Sequence, residues 1–204
     1  MSFERVMVVG TSCAGKTTVA RRMAKKLGVC HVELDALHWG PNWTERPADA
    51  FRREVSAIAA KDRWVIDGNY AAVRDIVMAR ATDAVWLNYS FGIVFGRAIR
   101  RTARRVATRE EIWNGNRETF TLAFLRPDSI PWWVVRTHRR RRRAYGALFA
   151  ENPSVTLSEL RTQRETDAFL SELEATPRTG APSGGAARTS ARRRGAATRR
   201  EARP

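Results

Sequence analysis

The chain has 204 residues, 43% hydrophobic and 28% charged, with a formal net charge of +16. That length fits one domain with appendages, and so basic a balance points to anionic partners: phosphate compounds, nucleic acid or acidic surfaces. Its two cysteines, Cys13 and Cys30, lack metal-type spacing, so no disulfide framework or zinc site is implied, and no apolar run approaches the roughly 20 residues needed to span a bilayer.

The first element is a short apolar run, RVMVVG (Arg5–Gly10), which suits a strand buried on both faces. From Lys16 onward, Val19, Ala20, Met23, Ala24 and Leu27 recur at helical spacing, with Gly28 as a stop. CHVELD (Cys30–Asp35) reads as a second strand. Pro47–Asp62 reads as a helix with proline near its start, and Arg63–Gly68 as a third strand. A short helix over 72–81 precedes a fourth strand, Asp83–Tyr89. A long arginine-rich helix covers roughly Ile93–Ala107. Residues 108–130 look irregular and 131–150 helical. SVTLSEL supplies a fifth strand, and a closing helix follows from Arg164.

Strands that alternate with helices imply βαβ units, hence an α/β fold with a parallel sheet covered on both faces. The N-terminus runs into the first strand without a signal-peptide pattern, so cytoplasm is the expected location. From about Thr176 the composition is Pro, Gly, Ala, Ser, Thr and Arg without apolar periodicity. Residues 176–204 are therefore expected to be a disordered basic tail behind a 1–175 domain.

GTSCAGKT, Gly10–Thr17, matches G-x-x-x-x-G-K-[ST] at every fixed position, between a strand and a helix as the motif requires. Gly10 and Gly15 let the main chain turn tightly and aim its N–H groups at phosphates, and the helix start adds its positive end. The expected nucleotide-binding residues are Gly10, Thr11, Ser12, Cys13, Ala14, Gly15, Lys16, Thr17 and Thr18. Lys16 reaches the β- and γ-phosphates, and Thr17 offers a hydroxyl to Mg²⁺. Cys13 occupies a variable position and reads as filler.

Ligands of an open parallel sheet sit outside the carboxyl ends of its strands. Asp35 and Asp67 occupy such ends in the second and third strands. WVIDG has the form of a Walker-B strand, so Asp67 is expected to hold Mg²⁺ together with Thr17. Asp35 has three possible roles: general base for an acceptor hydroxyl, orienting group, or second metal ligand.

With these residues in place, the chain resembles the adenylate-kinase-like branch of P-loop kinases. More closely, it resembles the bacterial DNA topology modulation proteins. The stretches that carry the resemblance are GTSCAGKTT, LDALHWGPNW, WVIDGNY, DAVWLNY, RAIRRTARR, EEIWNGNRE and the basic run ending near Arg143, across roughly residues 4–172. It implies a P-loop NTPase three-layer fold with a five-stranded parallel sheet in order 2-3-1-4-5. It also implies an acceptor region after strand 2 and an arginine-rich helical lid over roughly 101–143. By the same resemblance, Arg97 and Arg101 contact the donor nucleotide. Adenylate kinases carry D-G-F-P-R after strand 3. Here DGNYAAVR keeps only Asp67 and Gly68, with Arg74 the one candidate to replace the missing arginine.

In that frame LDALHWGPNW faces the acceptor. Trp39 and Trp43 would wall a pocket, with His38 a hydrogen-bonding group or base, and Asn69, Tyr70 and Arg74 lining the same space. His31 and His138 have no such context and read as structural. Arginine suits the lid because its planar fork binds phosphate oxygens bidentately. Two or three arginines of the 97–143 region are expected to act in catalysis and the rest to be solvated. Basic residues interleaved with Trp113, Phe120, Phe124, Trp132 and Trp133 also admit base stacking, although lid packing accounts for the aromatics as well.

The expected function is transfer of the ATP γ-phosphate, with Mg²⁺, to a small molecule. Lys16, Asp35, Arg97 and Arg101 would carry catalysis. The alternative is a nucleic-acid-associated ATP-binding protein in which nucleotide acts as a conformational switch, with nonspecific nucleic-acid binding through the basic lid and tail.

Overall fold

The computed structural model describes residues 3–109, 111–116 and 129–175. Its elements run β1 (Arg5–Gly10), α1 (Lys16–Leu27), β2 (Cys30–Glu33), α2 (Leu34–His38), a 3-10 turn (Pro41–Trp43), α3 (Ala48–Ala59), β3 (Trp64–Asp67), α4 (Ala71–Met78), β4 (Asp83–Leu87), α5 (Phe91–Thr108), a second 3-10 turn (Trp113–Gly115), α6 (Ile130–Glu151), β5 (Thr156–Leu160) and α7 (Gln163–Ala175).

The five strands form one sheet in the order β2-β3-β1-β4-β5, with every pairing parallel. Strand residues alternate between two cores even where the run is continuously apolar. Val6, Val8, Val65, Val85 and Leu87 pack with residues of α1, α5 and α7. Met7, Val9, Trp64, Ile66, Ala84 and Trp86 pack with residues of α3, α4 and the C-terminal half of α6. Trp64 is fully buried, and its indole N–H donates to the Ala59 carbonyl at 3.3 Å, so the polar tip of a large apolar body is satisfied.

Two glycines set the upper rim. Gly10 has φ +150, and a Cβ there would lie 2.8 Å from the Leu87 carbonyl oxygen. Gly68 has φ +142, and its Cβ would meet Leu34 Cβ at 2.6 Å. Only glycine fits both the dihedral and the space at these positions.

The second strand is shorter than the sequence suggests. It ends at Glu33, and Leu34, 4% exposed, turns the chain into α2 by packing against Gly68. Asp35 therefore sits in a helical turn and not at a strand end. LDALHWGPNW as a whole is a five-residue helix followed by a 3-10 turn. The arginine-rich helix runs slightly beyond expectation at both ends. Trp113–Gly115 gives the irregular stretch a turn of its own. Residues 176–204, expected to be a basic tail, lie outside the described residues, as do Phe120 and Phe124.

Candidate active site

Above the C-terminal ends of β1, β2 and β3 opens a cleft of about 1240 Å³. Its floor is the loop between β1 and α1: Ser12, Cys13, Gly15, Lys16, Thr17 and Thr18 line it. One wall comes from α2 and the segment after it, through Asp35, His38, Trp39, Trp43 and Glu45. The other comes from α5 and α6, through Arg101, Arg104, Arg105, Trp133 and Arg141. Asn69, Tyr70, Glu33 and Trp113 complete the enclosure.

Lys16 sits at the centre. Its ammonium is 3.4 Å from the Thr11 carbonyl. Burial lowers its pKa below the usual lysine value, while Asp35 and then Asp67 pull it back up. Thr17 leads to a residue that the sequence reading passed over. Its hydroxyl donates to Glu33 Oε1 at 3.1 Å. Glu33 is the last residue of β2, level in register with Asp67. Asp67, expected beside Thr17, instead has His31 Nε2 at 3.4 Å from its Oδ2 and is 2% exposed. His31 and Glu33 are two apart on β2 and share a face, so one strand presents a partner to each. His31 is thus tied to the site's acid, whereas His138 is structural as expected, buried with Nε2 3.0 Å from the Tyr89 carbonyl oxygen.

Asp35 is oriented by a short relay. The Trp39 side chain hydrogen-bonds to Tyr70, and the Tyr70 hydroxyl donates to Asp35 Oδ1 at 2.7 Å. Burial, then the neighbouring Asp35 charge, push the Tyr70 pKa well above the usual tyrosine value, so the phenol stays a donor. His38 packs among aromatics, its ring centroid 4.8 Å from Trp39, 5.3 Å from Phe51 and 4.4 Å from Tyr70, and its Nδ1 is buried without a hydrogen-bond partner. Trp39 and Trp43 meet edge to face at 5.8 Å, forming a corner of the cleft.

The arginines divide. Arg97 does not line the cleft. Its guanidinium donates to the Ala14 carbonyl at 2.9 Å and to Gln163 Oε1 at 2.7 Å, and it lies 4.6 Å from the Tyr89 ring centroid. Arg101, one turn on, does face the cleft, with a buried Nε that has no hydrogen-bond partner. Arg74 faces a separate small cavity of about 20 Å³ behind Tyr70 and stacks 5.9 Å from the Tyr145 ring, so it does not reach the cleft. Of the run Arg139–Arg143, Arg141 is the one that enters the cleft. Burial lowers its pKa; Tyr145 and Asp35 favour its charge while Arg140 and Arg74 oppose it. Its guanidinium also sits 5.6 Å from the Trp133 ring centroid.

One turn beyond Arg141, Tyr145 anchors α6. Its hydroxyl donates to Asn69 Oδ1 at 2.5 Å, and Asn69 Nδ2 donates to the Gly10 carbonyl at 2.5 Å. Asn69 therefore uses its amide to join α6 to the start of the loop between β1 and α1, although its side chain still borders the cleft.

A second set of contacts ties the far wall to the segment between α5 and α6. Asn114 Nδ2 donates to the Trp39 carbonyl. Asn116 Nδ2 donates to the Gly40 carbonyl at 2.9 Å and to the Trp113 carbonyl at 2.8 Å, while its Oδ1 accepts from the Trp43 main-chain N–H at 2.8 Å. Asn116 is 4% exposed. Asn42 and Asn114 both take left-handed backbone conformations, which asparagine tolerates better than most residues. The two turns, PNW and WNG, dock on one another, and Trp113 joins Trp39 and Trp43 around the same space.

Of the aromatics named for base stacking, Trp113 and Trp133 border the cleft and Trp132 is exposed. Among the described residues, no cluster of three or more His, Cys, Asp or Glu forms a metal cage, and no helix is long and apolar enough to cross a membrane.

No protein-family model matches the chain, and no curated protein does. Solved structures do. Shikimate kinase from Bacteroides thetaiotaomicron aligns at 16% identity over 84% of this chain and 97% of its own, with a TM-score of 0.52. Shikimate kinase from Acinetobacter baumannii in complex with shikimate aligns at 17% identity over 84% and 90%, with a TM-score of 0.51. A gluconokinase from Sinorhizobium meliloti aligns at 18% over 85% and 94%, with a TM-score of 0.47. At these identities the likeness establishes the fold, the P-loop NTPase three-layer α/β fold with strand order 2-3-1-4-5.

Proposed function

We propose that this protein is an ATP-dependent kinase that phosphorylates a hydroxyl group of a small molecule. The observation that carries this reading is convergence. A phosphate loop, a half-buried lysine, an oriented carboxylate and lid arginines all face one cleft, and the carboxylate side is lined by aromatics. The structural neighbours with TM-scores above 0.5 carry the names of small-molecule kinases, which supports the reading. The finer kinship with DNA topology modulation proteins rests on the LDALHWGPNW, WVIDGNY and WNGNRE segments, and we infer no action on DNA from it.

In this proposal the triphosphate lies along residues 10–18, and Lys16 reaches between its terminal phosphates. Thr17 and Glu33 offer hard oxygen donors 3.1 Å apart. They fit Mg²⁺, which takes one or two protein oxygens and leaves its other positions to water and phosphate. Bound there, the ion would neutralise charge developing on the β- and γ-phosphates. Asp67, held by His31, would act behind this pair. Asp35 takes the proton of the acceptor hydroxyl as the new P–O bond forms. The bond between the γ-phosphorus and the bridging oxygen breaks, and ADP leaves with the electron pair. Tyr70 keeps Asp35 aimed at the acceptor. Arg141 and Arg101 stabilise the transferred group, and Arg97 acts indirectly by holding the loop at Ala14.

The test is ADP release from Mg-ATP with a panel of nucleosides, sugars, hydroxy acids and nucleoside monophosphates, with Lys16→Ala beside it. Acceptor-stimulated release that disappears in the variant is the expected result. ATP binding with no stimulation by any acceptor would sink the kinase reading.

A further inference from the structure

The cleft's charge is sorted. Among the described residues, its cations are Lys16 and Arg21 on α1, Arg101, Arg104 and Arg105 on α5, and Arg141 on α6; its acids are Glu33 at the end of β2, Asp35, Glu45, and Glu111 after α5. The wall formed by α2 and the segment after it presents two charged side chains to the cleft, Asp35 and Glu45, both acidic. Glu45 stands beside that wall's aromatics: it bridges Trp39 through the backbone, and its charge is felt at Tyr70. The basic groups nearby are turned elsewhere. Arg46 pairs with Glu54, Arg52 pairs with Asp75 at 2.7 Å, and Arg74 stacks on Tyr145 outside the cleft. Arg141 sits where it feels both Lys16 and Asp35, at the junction of the two walls and therefore beside the transferred phosphate.

An acceptor bearing its own carboxylate or phosphate would bring a negative charge against Asp35 and Glu45. Of the cleft's cations, Arg141 is the one whose charge is felt at both Asp35 and Lys16, so it is shared with the donor side. Like charges at close range in a partly enclosed site oppose binding. The rest of the wall is aromatic: Trp39 and Trp43 at a right-angled corner, with Tyr70 and Trp113 beside them. Indole faces attract flat rings, the C–H faces of sugars and cations.

We infer that the acceptor is an uncharged or cationic hydroxyl compound with a ring face that stacks on indole, the chemistry shared by nucleosides and amino sugars, and that anionic hydroxy acids and nucleotides are rejected. This rests on the kinase reading and names its substrate class.

The test uses the full chain and ATP labelled at the γ-phosphate. A small-molecule extract of bacterial cells is freed of endogenous ATP with apyrase, which is then inactivated by heat. A strong anion exchanger separates the extract into a retained, anionic fraction and an unretained, neutral and cationic one. Label transfer to compounds of the unretained fraction, absent with Lys16→Met, is the expected result. Within that fraction, cation exchange then separates the amino-sugar source from the nucleoside source. Transfer confined to the anionic fraction overturns the inference and leaves the kinase reading standing. Transfer to neither, with Mg-ATP bound, overturns both.

Glu45 is exposed, so Glu45→Lys leaves the core untouched. It should cut transfer to the unretained fraction at least fivefold relative to the anionic one. An unchanged ratio, in a variant whose melting is also unchanged, would remove Glu45 from the argument and count against charge selection.

Discussion

In the proposed reading, the donor end of the cleft would offer the triphosphate main-chain N–H groups, held by glycine dihedrals and a helix start. At the acceptor end the ligand-facing groups are side chains, held by one another: Trp39 to Tyr70 to Asp35, and Asn114 and Asn116 to the carbonyls of Trp39 and Gly40. The first construction fixes a shape that any triphosphate fits. The second fixes a chemistry that varies with each substitution.

Variants across the two ends should separate these constructions. The largest effect is expected where they meet. Arg141→Ala should lower kcat by about 10³, the low end of what a correctly placed arginine contributes to phosphoryl transfer, with little change in ATP affinity. A loss below tenfold would move the catalytic charge to Arg101.

At the donor end, Lys16→Met should cost about 10²–10³ in kcat. It should also raise the melting temperature of the nucleotide-free protein by about 2–4 °C, the change that ~1 kcal/mol makes in a chain of this size. The sign follows from the depressed lysine pKa. The unfolded state binds the proton more tightly, so wild-type stability should rise with pH as the ordinary value of 10.5 is approached. That rise should shrink in the variant. Denaturant titrations at pH 7 and 9.5 check it, and a destabilised Lys16→Met would contradict the burial argument.

At the acceptor end, Asn116→Ala removes several hydrogen bonds of a buried amide. It should raise the acceptor KM about tenfold while leaving the ATP dissociation constant unchanged. Equal losses for both ligands would mean that the two ends are one unit. The smallest change is expected from Tyr70→Phe. It frees Asp35 Oδ1 and should lower kcat by about fivefold, the worth of roughly one hydrogen bond.

The strand, loop and helix around GTSCAGKT were legible in the sequence because the motif has fixed spacing and its flanks announce a strand and a helix. The strand order followed from the resemblance. Asp35 was read as a strand end, and Trp39 and Trp43 entered through the acceptor region that the resemblance implies after strand 2. Glu33 was missed because extending β2 to Asp35 hid where the chain turns, and that turn depends on Leu34 meeting Gly68 across the sheet. Arg97 was placed by analogy of spacing, which cannot show that its guanidinium turns to Ala14 and Gln163. Asn114 and Asn116 stood out only within the resemblance stretch EEIWNGNRE, and their bonds to the carbonyls of Trp39 and Gly40 span more than seventy residues, which no local pattern shows. Arg141 was recoverable. Val134, His138, Tyr145 and Phe149 mark the buried stripe of α6, and position 141 falls on that stripe at helical spacing, unlike Arg140 and Arg142. A charge on an apolar stripe is the signal that a run of five arginines concealed.

The placement of the tryptophans has a practical consequence. Four of the seven, Trp39, Trp43, Trp113 and Trp133, border the cleft, whereas Trp64 and Trp86 are sealed in the sheet and Trp132 faces solvent. The protein thus carries its own optical gauge. Ligand entry should change the emission of the first group against a constant background from the sealed pair. Iodide should quench Trp132 and the exposed Trp133 first, which leaves the signal of Trp39, Trp43 and Trp113 readable without any label.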